Sequence, residues 1–405
     1  MNSVLASTTK AQVSGHQFLT RRVEHGVVLG DVRMISDPLG SRRRAVLFGL
    51  IGTAIIAAGS GALAIFAPAV DPGDASIIRT ESGALYVRAN DALHPVANEA
   101  SARLVVGAPE AATKASASVL GGQQRGTPIG IVGAPGIIAP HPQPELQWSA
   151  VHDGDTVTVV AGTAPAPLLD DQGLLARVDS RMWVVTSAGR AELPPEDTPL
   201  GRSMRRRLNI SVDTPVWEPP GQLLSAVKEL PPYREVGGTL LETGGEYWLQ
   251  QDSGLLPLSE LQFDIARDLG LPVRSADPTE LLRFPDAVRH VAELPLAPVV
   301  WQEPARVWVL GDGKVALGGE TPPGVALAGM ATASAFAGPS IGAVGVDTGH
   351  GVVLVTDYGT THRVSTPIDA VALGIVEPKP APWPILALLP EGAELSRSAA
   401  LRTQG

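Results

Sequence analysis

RRRAVLFGLIGTAIIAAGSGALAIFAPAVDPGD, residues 42–74, decides how this chain is organised. Its middle, Ala45 to Ala67, carries no charge and shows no polar face. At about 1.5 Å per residue that run would cross roughly 30 Å of hydrocarbon. Arg42, Arg43 and Arg44 stand directly before it, and Asp71 and Asp74 follow it. Basic flanks stay on the cytoplasmic side, so the pattern predicts a cytoplasmic N-terminus and an extracytoplasmic C-terminal domain in the plasma membrane. A cleaved signal peptide is the competing reading, with small residues at Ala67-Pro68-Ala69. Its apolar core would run about 7–15 residues and lie nearer the start of the chain. The prediction is therefore an uncleaved single-pass anchor over residues 45–67. Gly49, Thr53, Ala57 and Gly61 recur every four residues along it, a stripe of small side chains on which a second helix could approach closely in lipid.

Charge divides across this anchor. Residues 1–44 hold seven basic and three acidic side chains, while the whole chain has a formal net charge of −10. In this arm Val13, His16, Leu19, Val23 and Val27 recur at three- and four-residue steps. Ser7, Thr8 and Thr9 offer N-caps and Gly30 a stop, so an amphipathic helix of about five turns is predicted. Arg21 and Arg22 flank its apolar stripe, and Asp37-Pro38 breaks the chain before the anchor. So short an arm has too little surface for a core of its own. Val13, Leu19, Arg21, Arg22, Val23 and Val27 are accordingly the expected contacts with a partner protein or the lipid bilayer.

The chain has 405 residues, of which 44 are Gly and 36 Pro, and aromatics make only 4%. That argues for many short elements joined by turns. Cysteine is absent, which removes disulfides, thiolate metal sites and Cys nucleophiles. An acidic chain is a poor ligand for nucleic acid, and none is expected.

Residues 68–405 read as short strands and turns. One pattern recurs at 84–96 (ALYVRANDALHPV), 181–193 (RMWVVTSAGRAEL), 246–258 (EYWLQQDSGLLPL) and 351–364 (GVVLVTDYGTTHRV). Each copy is an apolar strand, a polar turn with Gly and a second strand, followed by a stretch of helical character. The repeats are placed near 77–107, 174–208, 240–270 and 346–375, with core strands near 125–165 and 295–345. Tyr86, Trp183, Trp248 and Leu354 are aligned as equivalent residues facing the buried side. RVWVLGDGKVAL (306–317) is a weaker copy without the helix. Gly121–Pro144, Leu193–Pro199, Thr214–Gly221 and Pro378–Pro384 read as linkers, the last extended and polyproline-like, and 377–405 as a Pro-rich tail docked on the domain. The fold class is thus a single-pass membrane protein with a β-rich α+β outer domain of about four hairpin-helix repeats around a central β core.

The arm QVSGHQFLTRRVEHGVVLGDVRMISDPLGSRRRA, the anchor and SGALYVRANDALHPVANEASARLVVG together resemble the EccB family, a membrane component of the actinobacterial type VII (ESX) secretion system. The resemblance continues in GTPIGIVGAPG, LVTDYGTTHRVSTPIDAVALG and PWPILALLPEG, while the middle is shorter and more divergent. It implies a core membrane complex with EccC (an FtsK-like motor ATPase), EccD and EccE, self-association within it, and export of WXG100-type helical hairpins. It also implies a distorted propeller of four repeats. Family members often carry a Cys pair, one of them in a motif like W-x-V-C-D. The matching stretch here is Trp148-Ser149-Ala150-Val151-His152-Asp153, so that staple is missing.

Members are often labelled ATPases, yet no Gly-x4-Gly-Lys-Ser/Thr is present. Only Lys314 follows a Gly, and Trp308 and Val315 occupy the other required positions. Gly338-Pro339-Ser340-Ile341-Gly342 matches a nucleophile elbow but no helical sequence follows it. Asp252-Ser253-Gly254 and Asp347-Thr348-Gly349 match the paired motifs of aspartic proteases, but Asp and Gly are also what turns require. The eight His show no His-Glu-x-x-His. Arg205-Arg206-Arg207 reads as a solvated helix end, or less readily as a contact for anionic envelope polymer. The expectation is a structural subunit with no catalytic residue, cofactor or metal. A tethered extracytoplasmic ATPase or hydrolase, and an envelope-binding module, are the competing functions.

Overall fold

The computed structural model describes residues 9–35, 38–66, 69–252, 254–287 and 293–403, with side chains at 38–40 and 64–66 left aside. It divides at residue 70 into two units. The first unit holds two helices, α1 (Lys10–Leu29) and α2 (Pro38–Phe66). Thr9 caps α1, its backbone N–H donating to the Gln12 carboxamide at 2.9 Å, and Gly30 ends it in the left-handed conformation. Ser7 and Thr8 lie outside the described residues. Pro38 is the first residue of α2, where its missing N–H costs nothing. The proline that breaks the chain therefore also starts the second helix, and Arg42–Arg44 lie inside it. Ser41–Leu63 of α2 is long and apolar enough to cross a membrane.

The second unit is built from a repeat larger than a hairpin and a helix. Its first copy runs β1 (Ile77–Thr80), β2 (Leu85–Ala89), β3 (Ala92–Val96), α3 (Glu99–Val106), β4 (Thr113–Ala115) and α4 (Ala117–Leu120). Two central strands follow, β5 (Trp148–Asp153) and β6 (Thr156–Ala161). The second copy is β7 (Gln172–Val178), β8 (Arg181–Thr186), β9 (Gly189–Glu192), α5 (Pro199–Arg207), β10 (Val216–Trp217) and α6 (Gly221–Ser225). The third is β11 (Thr239–Thr243), β12 (Glu246–Gln251), β13 (Gly254–Leu258), α7 (Glu260–Asp268), β14 (Val273–Ser275) and α8 (Pro278–Leu281). Then come β15 (Val300–Trp301), β16 (Arg306–Leu310), β17 (Val315–Leu317), β18 (Val325–Ala326) and β19 (Ala335–Ala337). The fourth copy is β20 (Val344–Asp347), β21 (Val352–Val355), β22 (Thr361–Arg363), α9 (Pro367–Leu373), β23 (Lys379–Pro380) and α10 (Trp383–Leu386), and α11 (Arg397–Ala400) follows it.

Each copy folds as an antiparallel three-stranded meander whose helix returns the chain to a short fourth strand, parallel to the first. The short second helix then leads into a strap that runs parallel to the third strand. One residue of that strand exchanges both backbone hydrogen bonds with the strap in all four copies. Leu93 bonds Gln124 and Gly126, Arg190 bonds Lys228 and Leu230, Leu255 bonds Pro285 and Ala287, and Thr361 bonds Pro390 and Gly392, all at 2.8–3.0 Å. The four long helices start at Asn98, Thr198, Ser259 and Thr366, whose side chains accept from the first-turn N–H groups.

Three expectations are corrected. The stretches 214–221 and 378–384 are not plain linkers, because they supply the fourth strand and the second helix of their repeats; Trp383-Pro384 begins α10 instead of continuing an extended chain. The segment 306–317 is no weak repeat: β16 and β17 lie in a six-stranded central sheet of order β17-β16-β5-β6-β19-β18. And the sheets do not close into a propeller. Each carries a helix on one face, and the helices pack in pairs, α3 on α9 and α5 on α7. One core thus joins repeats 1 and 4, through Leu85, Val87, Leu104, Leu354 and Leu373. Another joins repeats 2 and 3, through Val184, Met204, Leu249 and Phe263. The central sheet forms a third core with the outer faces of repeats 2 and 4.

Candidate interaction surfaces

In α1 the stripe named from the sequence is open: Leu19 is 59% and Val27 81% exposed, and Val13 and Val23 are exposed as well. Arg21 and Arg22 are exposed beside it. On the other side of the helix His25 is buried and Glu24 accepts from the Arg43 guanidinium at 3.2 Å, tying α1 to α2. Gly49, Thr53, Ala57 and Gly61 are all exposed on α2. Nothing lies within 4 Å of where a Cβ at Gly49 or Gly61 would sit. The Thr53 hydroxyl donates to the Gly49 carbonyl at 2.9 Å, so it is satisfied within its own helix.

The chemical motifs resolve into turns. Lys314 lies in the β16–β17 hairpin, its ammonium 3.1 Å from Asp312, with no helix after it. Ser340 sits in the loop between β19 and β20. Asp252 is an exposed turn residue of the β12–β13 hairpin, whereas Asp347 accepts from the Gly349 N–H at 2.9 Å in a different sheet. Among the described residues no three His, Asp or Glu side chains come together as a metal site. The Arg205–Arg207 run is not a solvated end. Arg207 donates to Asp264 at 2.8 Å and Asp268 at 2.7 Å on α7, holding the Asp268 carboxyl below its ordinary range. Arg205 bonds the Pro194 and Gly201 carbonyls, and burial lowers its pKa. Only Arg206 is exposed.

A cavity of about 760 Å³ lies between repeat 2 and α10, lined by Arg181, Trp183, Arg190, Gln222, Glu229 and Trp383 among others. Its guanidiniums are already engaged: both stack on Trp183, Arg181 pairs with Glu192, and Arg190 pairs with Glu229 at 2.9 Å. Trp217 of β10 donates its indole N–H to Nδ1 of His152 in β5 at 3.0 Å. Burial pushes the His152 pKa down, against the pull of Asp155 and Asp153. A side-chain hydrogen bond thus links the central sheet to β10.

The family model described as "Type VII secretion system ESX-1, transport TM domain B" matches residues 5–237 and 318–405. The chain belongs to the EccB family. The stretch left unmatched spans the third repeat and the β16–β17 hairpin. Curated EccB relatives are similar end to end. "ESX-1 secretion system ATPase EccB1" of Mycobacterium tuberculosis is 27% identical, over 98% of this chain and 95% of its own. "ESX-3 secretion system ATPase EccB3" of Mycolicibacterium smegmatis is 28% identical, over 97% and 90%. Among solved structures, a chain of an intact ESX-5 inner membrane complex matches with TM-score 0.64 at 25% identity, covering 100% of this chain and 97% of that one. An EccB3 dimer from an ESX-3 core complex shares the fold at TM-score 0.66 and 21% identity, over 81% of this chain.

Proposed function

We infer that this EccB-family chain is a structural subunit of the core membrane complex of a type VII secretion system, supporting export of WXG100-type proteins. The observation that carries this is the end-to-end likeness, arm and apolar helix included, to a chain of an intact ESX inner membrane complex. In this reading α1 is a cytoplasmic docking helix whose open stripe meets EccC-, EccD- or EccE-type subunits, and α2 is the anchor. The Gly49–Gly61 stripe faces a second helix in the bilayer, in self-association or with a partner subunit. The engaged guanidiniums of the Trp183 cavity favour this reading over a nucleotide-hydrolysing one, because a phosphate would have to displace carboxylates already in place.

Native purification from the membrane tests the arm. Leu19→Glu with Val23→Glu places two charges on the open stripe and should abolish co-purification of other subunits while the outer domain stays folded. Full assembly of the double variant would refute the docking role. Orientation is tested separately: a reporter active only outside the membrane should work after Gly405 and fail after Arg44. The reverse pattern, or release of a soluble chain cut near Ala69, would overturn the anchor.

A further inference from the structure

Repeats 1 and 4 share a detail that repeats 2 and 3 lack. The residue after the strap-bonded one is a histidine, His94 in β3 and His362 in β22. Opposite it the strap carries a glycine, Gly126 or Gly392, so close to the ring that a Cβ there would overlap it. Each ring also bonds the next strap carbonyl, His94 Nδ1 to Thr127 at 2.9 Å and His362 Nδ1 to Ala393 at 2.8 Å. A carbonyl only accepts, so Nδ1 carries a proton in each ring, and in the neutral form of His362 Nε2 then holds a lone pair.

The two sites differ in what surrounds Nε2. His94 is partly exposed, so water can reach its ring. His362 is 1% exposed, and its Nε2 is buried with no hydrogen-bond partner. We propose that the C-terminal strap, residues 390–395, is an acid-released latch with His362 as its trigger, while the strap of repeat 1 stays closed. Adding a proton at Nε2 creates a buried imidazolium whose second N–H has no acceptor, and only hydration relieves it. Gly392 lies directly against the ring, so its departure, with the strap leaving β22, opens a path for water.

The surroundings do not supply a counter-charge. Arg363 on β22 pairs with Glu391 of the strap at 3.1 Å, both exposed. Glu394 of the strap accepts from Ser365, β21 presents Leu354 opposite the ring, and Asp357 lies in the turn before β22. Burial acts on the ring downward and the Ala393 carbonyl upward, burial being the larger. Because the folded pKa is depressed, the closed strap is fully stable above the ordinary value of 6.5 and weakens as pH falls below it. Opening would free the Leu395 side chain from the core shared by repeats 1 and 4.

Hydrogen–deuterium exchange on the full chain in nanodiscs, corrected for intrinsic rate, reads this directly. Between about pH 7.5 and about pH 5, exchange in 390–395 should rise at least about tenfold while 124–127 stays flat. The rise should persist in His94→Gln and vanish in His362→Gln or, should that variant not fold, in His362→Phe. Gly392→Ala should open the strap at both pH values. A pH-invariant strap in the wild-type chain, or a rise that survives loss of the His362 imidazole, would overturn the proposal.

Discussion

Trp183 is buried and flanked by the guanidiniums of Arg190, 4.6 Å from its ring centre, and Arg181 at 5.2 Å. Tyr86 and Trp248 stand at the same position of their hairpins but are only half-buried. Counted back from the turn, all three lie on the face away from their helix. Val87, Val184 and Leu249 face the helix, and Leu354 is their fourth equivalent, one residue out of register with the aromatics. The alignment failed there because the β21–β22 turn is longer: Val355 pairs with Thr361, whereas Thr186 pairs with Gly189 and Gln251 with Gly254. One extra residue moves a strand's side chains to the other face. Equal status for all four side chains is thus withdrawn. In denaturant melts of the full chain, Trp183→Ala should cost about 3–5 kcal/mol and Leu354→Ala about 2–5. Tyr86→Ala, with one side covered by Arg125, should cost about 1–2. Equal costs for Tyr86 and Trp183 would restore the original alignment.

At the scale of elements, the helices were the legible part. SELQFDIARDLG shows an apolar face, and Ser259 with Gln262 closes a capping box on the finished α7. TPIDAVALG starts on the Thr366 cap with Pro367 in the first turn and ends on Gly374, left-handed at φ 84. The fourth strands were not legible. Val216-Trp217 and Lys379-Pro380 are two residues each and sit among prolines, too short to show an alternating pattern. The straps were hidden for another reason. They are isolated bridges, one or two per strap, formed 30 or more residues downstream, and nothing local in GGQQRGTP or LLPEGAEL marks a pairing at that distance. Among the surface features, the open stripe of α1 was visible in its spacing, but the consumption of Arg205 and Arg207 depends on α7 and on backbone carbonyls that sequence does not place nearby. Because Thr366 bonds the Asp369 N–H and carboxylate, Thr366→Ala should lower stability by about 1 kcal/mol, and Thr366→Ser should recover most of it. A silent Thr366→Ala would mean that Asp369, held also by the Arg397 N–H, anchors α9 without the cap.

For the whole molecule, the pairing of repeats matters more than their number. Repeats 2 and 3 are neighbours in sequence and share a core through α5 and α7, with Arg207 reaching both Asp264 and Asp268. Repeats 1 and 4 share the other core although more than half the chain separates them. Arg103 of α3 donates to the Leu373 carbonyl at 2.8 Å, and the Gly130 N–H donates to the Arg402 carbonyl at 3.4 Å. Removing residues 390–405 should therefore destabilise both partners. Partial proteolysis of the truncated chain should cut within 77–130 as readily as within 344–389, and leave 172–287 resistant. Resistance across 77–130 would show that repeat 1 stands without the tail.

The bond between Gly130 and Arg402 also sets an order of events during synthesis. A chain is made from its N-terminus, so the repeat that appears first must wait for residues 395–403 before its core can close. The middle pair can finish meanwhile. During that interval Ile77, Leu85, Val87 and Leu104 are uncovered, and they lie just beyond the apolar helix. A chaperone acting on this protein would have its work there, on the first repeat, until the residues around Arg402 have been made.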